Sequence, residues 1–301
     1  MKHQIDIALT SVAPLVWGST YFVTTEYLPE GYPVTMAALR ALPAGLLLLI
    51  IARQLPHGLW WPRVFVLGAL NFTLFWTLLF VAAYRLPGGV AATVGAVQPL
   101  LVIFLASVLL GAKIGVTSVL AATMGLVGVG FLVLGNDGAL DPVGIAAGLG
   151  GAASMGAGIV LTRKWKPPVP LLTFTAWQLT AGGILLVPLA FLLEPPLPTL
   201  DARNLTGIFY LCIVGAALTY ILWFRGIARI EPPAVSALGF LSPLSAVLIG
   251  WVLLGEALTV WQIVGAGVVL TAVSLGQLSN RPIRPAPLDH VIPTSNQRIT
   301  Q

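Results

Sequence analysis

Apolar runs of about 20 residues recur along the whole chain, separated by short clusters of proline, glycine and charge. A bilayer's hydrocarbon core takes about 20 residues of helix to cross. Ten such spans are read, at 5–25, 33–53, 62–83, 89–111, 117–134, 142–162, 170–193, 205–226, 233–254 and 260–279. The connections are short, so the pattern predicts a tight helical bundle with no separate soluble domain. The pattern stops after Asn280. Residues 281–301 set Pro282, Pro285, Pro287 and Pro293 among polar residues and are expected to be a disordered tail.

Composition strengthens this reading. Of 301 residues, 57% are hydrophobic and 8% charged, where a soluble domain carries about a quarter charged. Mean hydropathy is +0.95. The pI near 9.7 raises nucleic acid as a partner, but the basic residues lie scattered between spans and form no continuous patch. Orientation in the membrane explains them. With the N-terminus inside, Lys2, Arg53, Arg63, Lys113, Arg163, Lys164, Lys166, Arg225, Arg229, Arg281, Arg284 and Arg298 fall on the cytoplasmic side. Only Arg85 and Arg203 fall outside, and Arg40 lies within a span. That asymmetry predicts a multi-pass protein of the cell (inner) membrane with both termini cytoplasmic. The start, "MKHQIDIALTSVAPLVWGST", has a signal-like basic end but no small-x-small cleavage site in a polar context, and reads as an uncleaved first helix. Cys212 is the single cysteine, which excludes a disulfide framework and a cysteine metal site.

The chain also resembles itself. "GAVQPLLVIFLASVLLG" (Gly95–Gly111) aligns without a gap to "GFLSPLSAVLIGWVLLG" (Gly239–Gly255), at an offset of 144. Earlier in each half the offset is 138, pairing Gly18 with Gly156, Thr35 with Thr173 and Gly45 with Gly183. A unit of five spans is odd, so the second copy must be inverted across the membrane. The expected fold is an all-α integral membrane protein of ten transmembrane helices in two inverted five-helix repeats, residues 1–138 and 139–280. Inverted repeats with a site at their interface are a transporter architecture.

"WGSTYF" in the first span, "ALRALPAGLLLL" in the second and "LLGEALTVWQIVGAGVVL" near the end resemble the EamA-type drug/metabolite transporters. The resemblance covers about residues 5 to 280. Its most specific part is Gly255, Glu256, Leu258, Thr259, Gln262 and Gly265. The first half reads Gly111, Ala112, Lys113 at the matching place and lacks the Glu. Within the superfamily the tryptophan-rich chain is most similar to YddG-type exporters of aromatic and other amino acids. The resemblance implies export of a small solute.

Enzyme signatures are absent: there is no His-Glu-x-x-His, no Gly-x-Ser-x-Gly and no phosphate loop. His3, His57 and His290 lie in terminal or loop segments. "GNDGALD" (Gly135–Asp141) lacks the spacing of a calcium loop and reads as a turn. No metal, cofactor or catalytic residue is expected. Membrane lipid and a small-molecule substrate are the expected partners; the chain is read as a monomer, with an oligomer left open.

Polar and aromatic residues at helical spacing carry the remaining signal. Trp17, Thr20, Tyr21 and Thr24 share one face of the first span, and Thr73, Trp76, Thr77, Phe80 and Tyr84 one face of the third. The eighth offers Ala216, Thr219, Tyr220 and Trp223, the seventh Trp177 and Gln178; Trp76 is the repeat partner of Tyr220. Hydrocarbon supplies no hydrogen-bond partners, so these faces should turn inward. Core packing and cavity lining both satisfy that rule. Their concentration in four spans favours a shared aromatic cavity, suited to a small amphipathic solute. Trp60, Trp61, Trp165 and Trp261 sit beside charges at span ends and read as interfacial anchors. Gly144, Gly148, Ala152 and Gly156 form a small-residue ridge.

Gln98-Pro99 and Ser242-Pro243, each with a glycine one turn earlier (Gly95, Gly239), are read as paired hinges, with static kinks as the alternative. Gln98 and Ser242 join the candidate substrate contacts. Arg40 lies about 10 Å into the second span, and its repeat partner is Gln178. An unpaired guanidinium there costs at least a few kcal/mol. Three partners are open to it: a substrate carboxylate, the carbonyls of a kinked helix, or Glu26 or Glu256. The resemblance points to a structural polar role for Arg40 and Glu256. Two rivals to amino-acid export stand: a multidrug exporter of the same fold, and a membrane assembly protein without transport. The lack of a carboxylate deep in any span argues against the first and favours facilitative transport.

Overall fold

The computed structural model describes residues 2–85, 94–132, 141–255 and 258–278, and all regular structure among them is helical. The elements are α1 (Lys2–Tyr27), α2 (Pro33–Ala52), α3 (Trp60–Gly68 and Phe75–Arg85, joined by a π-helical turn at Ala69–Leu74) and α4 (Gln98–Leu110). Next come α5 (Val116–Leu132), α6 (Pro142–Trp165) and α7 (Leu171–Leu193). The last three are α8 (Ala202–Cys212 and Thr219–Arg229, joined by a π-helical turn at Ile213–Leu218), α9 (Pro232–Leu238 and Leu241–Leu254) and α10 (Val260–Leu278). Eight are long and apolar enough to cross a membrane; α4 and α5 are shorter apolar helices. The start of the expected fourth span, Glu256 and the tail 281–301 lie outside the described residues.

Local chemistry fixes the helix ends. Asp141 caps α6, its Oδ1 accepting from the N–H of Val143 at 2.7 Å and of Gly144 at 3.3 Å. Asp201 and Asn204 form a reciprocal capping box at the start of α8. Glu194, at the end of α7, caps α2 instead, accepting from the N–H of Val34 at 2.6 Å and of Thr35 at 2.7 Å. Gly111 and Gly255 close α4 and α9 in the left-handed region, at φ 66° and 67°, where a Cβ would be strained.

Outside, large apolar side chains stand bare: Phe191 is 84% exposed and Ile50 70%. In water this surface would aggregate; against hydrocarbon it has no cost. Inside, the closest helix pairs are α2 with α7, α5 with α10, α1 with α9, and α6 with α3 and α4. Their crossings need small residues. A Cβ on Gly183 would lie 2.7 Å from Leu42 Cα, and one on Gly45 2.8 Å from the Leu179 carbonyl carbon. The small-residue ridge of α6 meets α3 and α4: Gly148 faces Val94 and Ala82, and Gly156 faces Val102.

Candidate functional site

The aromatic residues form a filled core. Trp17 lies 5.0 Å from Tyr220 and 5.1 Å from Trp223 between ring centroids. Phe72 lies 4.6 Å from Tyr220 and 5.2 Å from Trp76. Trp76 and Tyr220 are 3% and 1% exposed, so each gives its area to its neighbours and little to any hollow. Trp177 sits further along. Its Nε1–H donates to the Gln54 carbonyl at 2.6 Å, tying α7 to the chain after α2. Trp60, Phe174 and Phe224 in turn link it to Tyr220. Trp60 differs from the anchor its sequence position implies: it is buried against Trp177, with the Arg63 guanidinium 5.3 Å from its ring. The side chains of Tyr21 and Tyr84 lie outside the described residues.

Two polar ties hold the π-helical turns. Arg40 is 8% exposed; its Nη2 donates to the Gly215 carbonyl at 2.5 Å, and its guanidinium carbon stands 4.7 Å from the Trp76 ring centroid. Among the described residues, its partner is a carbonyl of an irregular helix, one of the alternatives open to it in the sequence, while Glu26 pairs with Arg203. Thr219 Oγ1 donates to the same carbonyl at 2.9 Å and accepts from Trp17 Nε1 at 3.1 Å. In the other π-helical turn Asn71 Nδ2 donates to Gln178 Oε1 at 2.7 Å, with both residues fully buried. A π-helical turn leaves backbone carbonyls without their usual helical donors, and such turns favour functional segments.

A cavity of ≈ 130 Å³ opens where α3, α4 and α9 meet. Phe75 and Leu79 come from α3; Gly95 and Ala96 precede α4, and Gln98 and Pro99 begin it; Ser236, Gly239, Phe240 and Pro243 come from around the break in α9. Both glycine–proline steps read as hinges thus stand on the wall, with Gln98. Ser242, Trp17, Trp76, Trp177, Gln178 and Tyr220 do not. Among the described residues the lining carries no charged side chain. Ser236 Oγ is buried with no hydrogen-bond partner among the described residues. The α9 helix is interrupted at Gly239–Phe240, where tight-turn bonds run from Gly239 N to Ser236 O and from Phe240 N to Ala237 O. Sequence reasoning missed Phe75, Ser236 and Phe240. Phe240 stood inside the quoted "GFLSP" and could have been found there. Asn71 was missed too, though an offset of 144 sets it opposite Gly215.

The EamA-like transporter family matches the chain twice, over residues 4–134 and 142–275. The chain belongs to the EamA-like transporter family. EamA-type relatives span nearly its whole length. Protein PecM of Dickeya dadantii is 45% identical over 267 residues, covering 88% of this chain and 90% of the relative. The uncharacterized inner membrane transporter YedA of Escherichia coli K12 is 30% identical, covering 87% of each chain. The uncharacterized transporter YvbV of Bacillus subtilis is 28% identical, covering 87% and 88%. A solved crystal structure superposes with TM-score 0.79 at 20% identity, covering 92% of this chain and 98% of the other, a likeness of fold. As an EamA-type protein the chain is a multi-pass membrane transporter.

Proposed function

We propose that the protein exports neutral amino acids, aromatic ones included, across the inner membrane, with both termini cytoplasmic. Two inverted five-helix halves, 1–138 and 139–280, alternate access to the cavity between α3, α4 and α9. The observation that carries the reading is the cavity itself. Phe75, Leu79 and Phe240 offer an apolar wall for a side chain, while Gln98, Ser236 and the interrupted backbone offer polar atoms for the other end. A solute with net charge would meet no counter-charge among the described lining residues, and burying one unpaired is expensive. The same absence disfavours a lipophilic cation. An apolar cavity of about 150 Å³ holds benzene, so ≈ 130 Å³ suits a small amino acid, and Gly95–Pro99 and Gly239–Pro243 flex to admit a larger one. No described Asp, Glu or His lines the cavity, which favours a uniporter driven by the substrate gradient.

The test is efflux of a radiolabelled amino-acid panel from proteoliposomes. Neutral amino acids should leave, charged ones should not, and Gln98→Ala should slow efflux several-fold. Flux of another solute class with none of any amino acid would overturn the reading. Accumulation above equilibrium that collapses with a pH gradient would overturn the uniporter.

A further inference from the structure

Two ionic clusters stand apart from the cavity and from both polar ties. Asp6, in the first turns of α1, has a side chain only 11% exposed. Its Oδ1 accepts from Arg225 Nε at 3.0 Å and Nη2 at 2.7 Å, and from Arg229 Nη1 at 3.2 Å, both at the end of α8. Asp141, at the start of α6, pairs with Arg85 at the end of α3, at 3.1 Å. The arginines correspond: Arg85 and Arg229 stand at the same offset of 144 that relates Gly95 to Gly239. Each acid opens the first helix of its half, and each arginine closes the third.

The contacts also place the clusters at opposite ends of the bundle. The C-terminal end of α6 lies beside the C-terminal end of α8, because Arg163 donates to the Ile227 and Ala228 carbonyls and pairs with Glu231. The Asp6 cluster sits at that same end of α8. Asp141 begins α6, a helix of 24 residues and so about 36 Å long. It therefore lies at the far end. The two differ in strength. Asp6 is enclosed by three donors, whereas Arg85 and Asp141 are 49% and 32% exposed and share one bond. The Val143 N–H and then Arg85 hold the Asp141 carboxyl below the usual carboxylate range, so it is charged at neutral pH.

We propose that Asp6 with Arg225 and Arg229, and Arg85 with Asp141, are paired latches: each joins the first and third helices of one inter-half contact, α1 to α8 and α6 to α3, and must part before the cavity opens at its own end. This rests on the alternating-access reading above. The partly buried Asp6 latch is the firmer of the two in this conformation, and an exposed pair such as Arg85–Asp141 contributes little to stability. It can open without loss of the fold, as a gate must.

The experiment labels a cavity cysteine, Ser236→Cys in a Cys212→Ala background, with a membrane-impermeant thiol reagent applied to one face of oriented vesicles at a time. Gln98→Cys serves as the second probe position. Breaking the first latch by Arg225→Gln with Arg229→Gln, or by Asp6→Asn if the double variant folds poorly, should raise labelling several-fold from the face bearing Asp6. Arg85→Gln should raise it several-fold from the face bearing Asp141. Exchanging the charges, Asp6→Arg with Arg229→Asp, should return the first pattern toward that of the parent. Labelling rates that ignore both latches, or move in the same direction on the same face, would overturn the latches while leaving alternating access in place. A cysteine reached from only one face in every variant, with substrate flux intact, would overturn alternating access and the latches with it.

Discussion

The π-helical turn in α3 presents the Asn71 side chain to Gln178 of α7, whereas the turn in α8 presents the bare Gly215 carbonyl to Arg40 of α2. The offsets that relate the two halves set Asn71 opposite Gly215 and Gln178 opposite Arg40. The two ties therefore join matching elements with different chemistry. In one, a medium-length amide meets another amide. In the other, the partner has no side chain, and an arginine reaches the backbone; a Cβ on Gly215 would lie 3.4 Å from Arg40 Nη2. The length lost on α8 is regained on α2. Arg40 thus stands inside an apolar span because its partner is glycine, with Trp76 covering the charge from one side.

The largest difference should follow from filling the partner position. Gly215→Val drives the guanidinium off its carbonyl and leaves a buried, unpaired cation, a class of change that costs about 3–5 kcal/mol. Asn71→Val strands only a neutral amide, about 1–3 kcal/mol. Denaturant titration in mixed micelles should rank them in that order, and equal losses would mean that the charge of Arg40 is already compensated. A transplant sharpens the point. Arg40→Gln alone is too short for the Gly215 carbonyl, whereas Arg40→Gln with Gly215→Asn rebuilds the first tie in the second place. The double variant should unfold at a higher denaturant midpoint than Arg40→Gln; no recovery would deny that reach decides the pairing. The smallest effect belongs to Thr219→Val. It removes a side-chain donor to the Gly215 carbonyl and the acceptor of Trp17 Nε1, about 0.5–1.5 kcal/mol per bond. Trp17 fluorescence should shift with it, and an unmoved spectrum would place that indole bond elsewhere.

The apolar helices were legible because hydrocarbon enforces unbroken apolar runs, and the glycine–proline steps on the cavity wall because Gly95–Pro99 and Gly239–Pro243 recur in one pattern. The π-helical turns were not. An extra residue in a helical turn leaves no compositional mark, so Asn71 passed as ordinary and Arg40 had three open partners. The aromatic stripes gave direction but not depth. Helical spacing turned Trp76 and Tyr220 inward correctly, yet it cannot distinguish a ring that walls a hollow from one that fills it. Residues at the hollow, Phe75 and Phe240, sit on apolar stretches whose packing partners come from other helices.

The helix pairings have one more consequence, and it concerns the order of assembly. α1 packs on α9, α2 on α7 and α5 on α10, so nearly every extensive contact spans the midpoint of the chain. The first five helices consequently enter the bilayer without their partners. Until synthesis passes α7 the Gly45 notch of α2 has no native partner, and until it passes α8 the polar end of Arg40 lacks the Gly215 carbonyl. Neither half can complete a core alone, and the native bundle closes only when the later helices thread between the earlier ones. For a nascent chain this is a long wait with its most adhesive surfaces uncovered.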